Sequence, residues 1–126
     1  MANEISATPG ISVTPSGGAT MTRGGSTITI SLVDSAQRYV AGIQTVGTSE
    51  EALNLGEVAG TTLGWAWFKN LDATNFVSIK TATSGTIFAK LKAGEACMFR
   101  FGSGVTAPYV IADTASVRLE YTVFVD

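Results

Sequence analysis

Few side chains in this sequence could do chemistry. Histidine, the commonest general base and metal ligand, does not occur in the 126 residues. Two carboxylate pairs invite comparison with glycoside hydrolysis, Glu50 with Glu51 and Asp72 with Glu95. Both consist of adjacent or turn residues, so they are read as solvated carboxylates, not as an acid and base held across a sugar. Asn70, Asp72 and Asn75 carry oxygens of the kind calcium takes. Their spacing is not that of a calcium loop, and capping of their own turn is the better reading. Cys97, the single cysteine, has no internal disulfide partner and alternates with Phe99 and Phe101, as a small core hydrophobe would. The glycines, Gly24-Gly25 and Gly102 to Gly104 among them, lack phosphate-loop spacing ahead of a lysine. The expectation is a non-enzyme with no cofactor and no metal.

Trp65 and Trp67 remain. Alternate positions on a strand put both rings on one face, where they form either a platform for a sugar or, as preferred here, part of a core or subunit interface. Ala66 and Phe68 point the other way, so this strand is apolar on both faces and needs cover.

The elements around these residues read as strands. Leu63 to Lys92 divides into three, broken by the polar run 70–75 and by Ser84-Gly85. The last two form an antiparallel hairpin, with Ile87, Ala89 and Leu91 opposite Phe88, Lys90 and Lys92. Thr27 to Val33 alternates with Ile28, Ile30 and Leu32 inward, as a half-buried strand does. Arg38 to Val46 is a strand weakened by Gly42, and residues 49–53 are a loop or a single helical turn. Ala96 to Phe101 is a strand, Pro108 to Ile111 a short edge strand, and Val117 to Val125 a long strand with its odd-numbered residues on one face. About eight strands with Gly-rich turns predict an all-β antiparallel sandwich of jelly-roll type spanning residues 27–126.

Residues 1–26 are rich in Gly, Ser, Thr and Pro and hold too few apolar side chains for a core of their own. They are either a floppy terminus or, as preferred, an extended arm that adds a strand to a neighbouring subunit. Ile11-Ser12-Val13 alternates between Pro9 and Pro15, and Ile11 and Val13 would fill the neighbour's pockets.

Hydrophobic residues make up 45% and charged residues only 14%, which predicts a globular unit whose weakly charged surface suits packing against other subunits. A net charge of −2 argues against nucleic-acid binding. The N-terminus has no secretory pattern and no run is long and apolar enough for a bilayer, so the expected site of synthesis is a cytoplasm.

The blocks Asn70-Leu71-Asp72, Thr74-Asn75-Phe76-Val77, Leu91 to Glu95, Ala112 to Ala115 and Leu119-Glu120-Tyr121 carry a resemblance. In this order the C-terminal half resembles small structural proteins encoded among the head and tail genes of tailed bacteriophages. The resemblance implies a virion component, a decoration (cement) protein on the capsid exterior, with a tail or fibre module as the neighbouring possibility. A homo-oligomer, a trimer, would then dock on the major capsid protein, with neither nucleic acid nor membrane as partner. Candidate interface residues are Ile5, Ile11 and Val13 in the arm and Trp65, Trp67, Phe76 and Phe88 in the sandwich. A carbohydrate-binding module with Asn70 or Asp72 as polar partners is the alternative.

Overall fold

A computed structural model describes residues 5–32, 34 and 36–126, and divides the chain into two compact units, Met1–Ser35 and Ala36–Asp126. In the first unit β1 (Ile5–Ala7) pairs antiparallel with β4 (Ile28–Ile30), and β2 (Gly10–Val13) with β3 (Met21–Gly24). The four strands nest as one long hairpin with its tip at residues 15–18, where the Gly18 N–H donates to the Pro15 carbonyl at 3.1 Å. Hydroxyl pairs run along it: Thr8 with Thr27, Ser12 with Thr22, and Thr14 with Thr20, at 3.0 to 3.2 Å. Gly24 has φ +73°, and a Cβ there would lie 2.4 Å from the Pro9 carbonyl oxygen, so the crossing between the two sheets requires glycine.

Two expectations are corrected here. Within the expected extended arm 1–26, the strand meant to add to a neighbouring subunit, Ile11 to Val13, pairs instead with β3 of its own chain. Residues 27–33 do not supply a sandwich strand either: Ile28–Ile30 closes the N-terminal hairpin and Ile28 is 39% exposed, while Leu32 is buried and Val33 lies outside the described residues. Alternation marks a strand but not its partner, which here is β1.

The second unit contains β5 (Tyr39–Val46), β6 (Glu51–Ala52), a 3₁₀ turn (Gly56–Val58), β7 (Leu63–Asn70), β8 (Val77–Lys80), β9 (Ile87–Leu91), β10 (Ala96–Arg100), β11 (Tyr109–Ala112) and β12 (Val117–Val125). The pairs are nested outward from β8–β9 through β7–β10 and β6–β11 to β5–β12, all antiparallel. Cross-pairing of β7 with β12 and of β8 with β11 gathers the strands into two four-stranded sheets, ordered β10-β7-β12-β5 and β6-β11-β8-β9. The result is an all-β, sandwich-like unit with a single core.

That core is built by the alternation visible in the sequence. Val117, Leu119, Tyr121, Val123 and Val125 of β12 and Leu63, Ala66 and Phe68 of β7 face Val77, Ile79, Leu91, Val110 and Ala112 of the other sheet, all under 5% exposed. Burying such side chains stabilises the fold by about 1.5–3 kcal/mol each. The three strands of Leu63 to Lys92 are present. Residues 49–53, expected as a loop or helical turn, instead contain the short strand β6, held to β5 by Gln44, whose Nε2 donates to Glu51 at 2.9 Å and to the Ala52 carbonyl at 3.1 Å. The strand expected at the edge near Pro108 is interior: β11 lies between β6 and β8, and Val110 is fully buried. Pro108 precedes the strand, so its missing N–H breaks no ladder bond, and its carbonyl accepts from the Leu53 N–H at 3.0 Å.

Candidate interaction surface

The carboxylates with conceivable chemistry are occupied with structure. Glu50 accepts from the Lys80 amine at 2.6 Å and from the Ser84 N–H, which hold its carboxyl below the ordinary range in that order. Glu51 accepts from Gln44, and Glu95 from the Lys92 N–H at 2.8 Å. Asp72 accepts from the backbone of Asn75 at 2.6 Å and of Thr74 at 2.7 Å, and these bonds depress its pKa. Asn70 is fully buried at the end of β7. Its Nδ2 donates to the carbonyls of Asn75 (2.8 Å) and Leu91 (3.1 Å), and its Oδ1 accepts from the Asp72 N–H (2.8 Å). The oxygens of the run 70–75 thus close their own turn. Among the described residues no group of three or more His, Cys, Asp or Glu side chains could hold a metal.

The outer face of the sheet β10-β7-β12-β5 is a different matter. Register sets Met98 beside Trp67, Trp67 beside Thr122 and Thr122 beside Ala41; one row along lie Ala96, Lys69, Glu120 and Ile43. Toward the other end of the sheet Arg100 lies 5.8 Å from the Trp65 ring, and Phe124 packs on Tyr39 at 5.6 Å. None of these side chains is buried, and Tyr39 and Ile43 are more than half exposed. Within the second unit no further layer covers this face, which carries two tryptophans, a phenylalanine, a tyrosine, an isoleucine and a methionine. These apolar side chains, interrupted by Thr122, Lys69, Glu120 and Arg100, make this face the candidate interaction surface.

A second apolar feature opens between the edge strands β9 and β10. Here Lys80 pairs with Ile87 but Ile79 with Ala89, so Phe88 is the extra residue of a β-bulge. The bulge overturns the simple alternation expected for this strand. Phe88 turns edge-on to Phe99 (5.1 Å) and Phe101 (6.1 Å), while Ile87 is left 54% exposed. Phe99 stacks in turn on the buried Phe68 at 5.7 Å. The resulting cleft of about 490 Å³ is lined by Phe88, Ala89, Cys97, Phe99, Phe101 and Val105, with Thr81, Arg100 and Gly102 at its margins. Burial pushes the Cys97 thiol up to about 11, so it is a neutral wall residue and not a nucleophile.

The other candidates are scattered. Phe76 is half-buried ahead of β8, with the Lys90 amine 3.8 Å from its ring centroid. In the N-terminal unit Ile5 pairs with Ile30, and Ile11 and Val13 stand on the hairpin, 64% and 45% exposed. Trp65 and Trp67 share the outer face with Tyr39, Ile43, Met98 and Phe124, which sequence reasoning did not single out. The alternation of residues 39–45 and the placement of Phe124 opposite the buried valines were the available signals. Comparison of the chain with protein-family models, with curated proteins and with solved structures finds no match.

Proposed function

We propose that this chain is a non-enzymatic structural protein of a tailed-bacteriophage virion: a self-associating decoration protein on the capsid exterior that binds the major capsid protein. The observation that carries the reading is the outer face of β10-β7-β12-β5, where Tyr39 and Ile43 are exposed and Trp65, Trp67 and Phe124 are half-buried beside them on a protein of low charge. Its support includes the resemblance of the C-terminal half and the engagement of each candidate carboxylate in a turn, an ion pair or, for Glu51, a hydrogen bond from Gln44. We also read the second unit as a jelly roll, an architecture common in viral capsid proteins. Numbering β5 to β12 as one to eight, the pairs 1–8, 2–7, 3–6 and 4–5 and the sheet orders 1-8-3-6 and 2-7-4-5 follow from a long hairpin rolled on itself.

The test is co-sedimentation of purified protein with capsids that lack it, together with mass spectrometry of intact particles. Saturable binding, weakened at least tenfold by Trp67→Ala, and peptides of the chain in the particle are expected. Absence from particles and no binding would overturn the proposal. A second reading draws on the two tryptophans side by side on an open face, the arrangement a glycan platform needs. Binding on a glycan array, abolished by Trp65→Ala, would favour it.

A further inference from the structure

The outer edge of β5, unpaired among the described strands, offers more than apolar side chains. The Val125 N–H donates to the Arg38 carbonyl at 3.0 Å, and the register continues with Val123 opposite Val40, Tyr121 opposite Gly42 and Leu119 opposite Gln44. Opposed residues in an antiparallel pair alternately exchange both backbone bonds or neither. The even-numbered residues of β5 therefore bond β12. The N–H and C=O groups of Tyr39, Ala41, Ile43 and Thr45 point away from it, along an edge where all four residues are exposed. Natural proteins blunt such edges with charge, proline or bulges, yet the eight residues Tyr39–Val46 contain no charge and no proline, and their register with β12 is unbroken.

Gly42 in the middle of this strand has no explanation within its own subunit. Its φ is not positive, and a Cβ would meet nothing within 4 Å. Glycine weakens a strand interior and often marks the close approach of another backbone. From these observations we infer that β5 pairs antiparallel with β5 of a second copy about a two-fold axis at Gly42, joining the two outer sheets into one. In this register Tyr39 faces the second copy's Thr45 and Ala41 its Ile43, and the symmetric pairs repeat this. All four outward-pointing residues of each copy are then satisfied, and a register shifted by two residues leaves at least one unpaired on each copy. Gly42 meets its own symmetry mate at the closer, non-bonded spacing, where opposed side chains would crowd most. The occupant is a second copy because the edge is self-complementary about this glycine and carries no charge to repel its mate.

The inference rests on the self-association proposed above and specifies a two-fold contact, where the resemblance implied a trimer. The test is amide hydrogen exchange across a dilution series of the full chain, alongside sedimentation equilibrium. Expected are a dimer, concentration-dependent protection of the Ala41, Ile43 and Thr45 amides, and constant protection of Gly42 and Gln44. Ile43→Lys, at a half-exposed position, should keep the latter protection, lose the former, and weaken the dimer at least a hundredfold. If the protein associates while the odd-numbered amides stay unprotected, or forms a trimer indifferent to Ile43→Lys, the β5 contact is wrong and self-association stands. A monomer at millimolar concentration overturns both.

Discussion

The amide of Asn70 donates to the Leu91 carbonyl at 3.1 Å, tying the end of β7 in one sheet to the end of β9 in the other. The same side chain also holds the Asn75 carbonyl and the Asp72 N–H, so one buried residue fixes the turn between β7 and β8 and the separation of the sheets there. Asn70→Ala removes a partner from three backbone groups and leaves a cavity. It should cost about 2–4 kcal/mol in urea unfolding. Asn70→Asp, which keeps the acceptor but sets a carboxylate against two carbonyls, should cost at least as much.

Acid sensitivity follows from Glu50 and Asp72, held below their ordinary values of 4.5 and 3.8 by the Lys80 amine and by the Asn75 N–H respectively. A depressed folded-state pKa contributes stability that is present above the unfolded value and lost as pH falls through the folded one. Thermal midpoints should hold steady from neutrality to about pH 5 and drop below about pH 4. Glu50→Gln and Asp72→Asn should each flatten that drop.

Cys97 faces the cleft beside Phe99 and Phe101, and its thiol is raised to about 11 by burial alone. A raised folded-state pKa contributes stability that is complete below the unfolded value near 9 and lost as pH climbs through 11. At pH 8, modification by a thiol reagent should be at least tenfold slower in the native protein than in urea, and Cys97→Ser should lower the thermal midpoint modestly.

The two units should part cleanly. Among the described residues the strands between residues 5 and 30 pair only with one another, and the core cluster lies between Val40 and Val125. Deleting residues 1–35 should leave the circular dichroism of the second unit intact and its melting temperature within a few degrees. Loss of folding would show that the hairpin is part of the sandwich.

Much of this arrangement is legible in the sequence where burial is one-sided. Val117 to Val125 alternates without fault, and Phe68 and Ala66 oppose Trp65 and Trp67 as their types require. Legibility ends where a strand's partner, not its pattern, decides its place. Ile28–Ile30 alternates like a core strand but pairs with β1, and β11 reads as an edge because Pro108 stands beside it. The two-residue strand β6 is too short for any period, and the bulge at Phe88 inverts the face of one residue without a glycine to announce it. Of the interaction surface, the tryptophans were visible from their spacing. Tyr39, Ile43 and Phe124 were not singled out, because only the register of β5 with β12 brings them beside the tryptophans.

We propose the outer face of β10-β7-β12-β5 as the attachment surface of a capsid decoration protein. A density map of the assembled particle tests it most directly. The account predicts copies of this chain on the outside of the shell, with Trp65, Trp67 and Tyr39 covered by capsid protein or by a neighbouring copy. A particle without the chain, or one in which that face looks out into solvent, would contradict it.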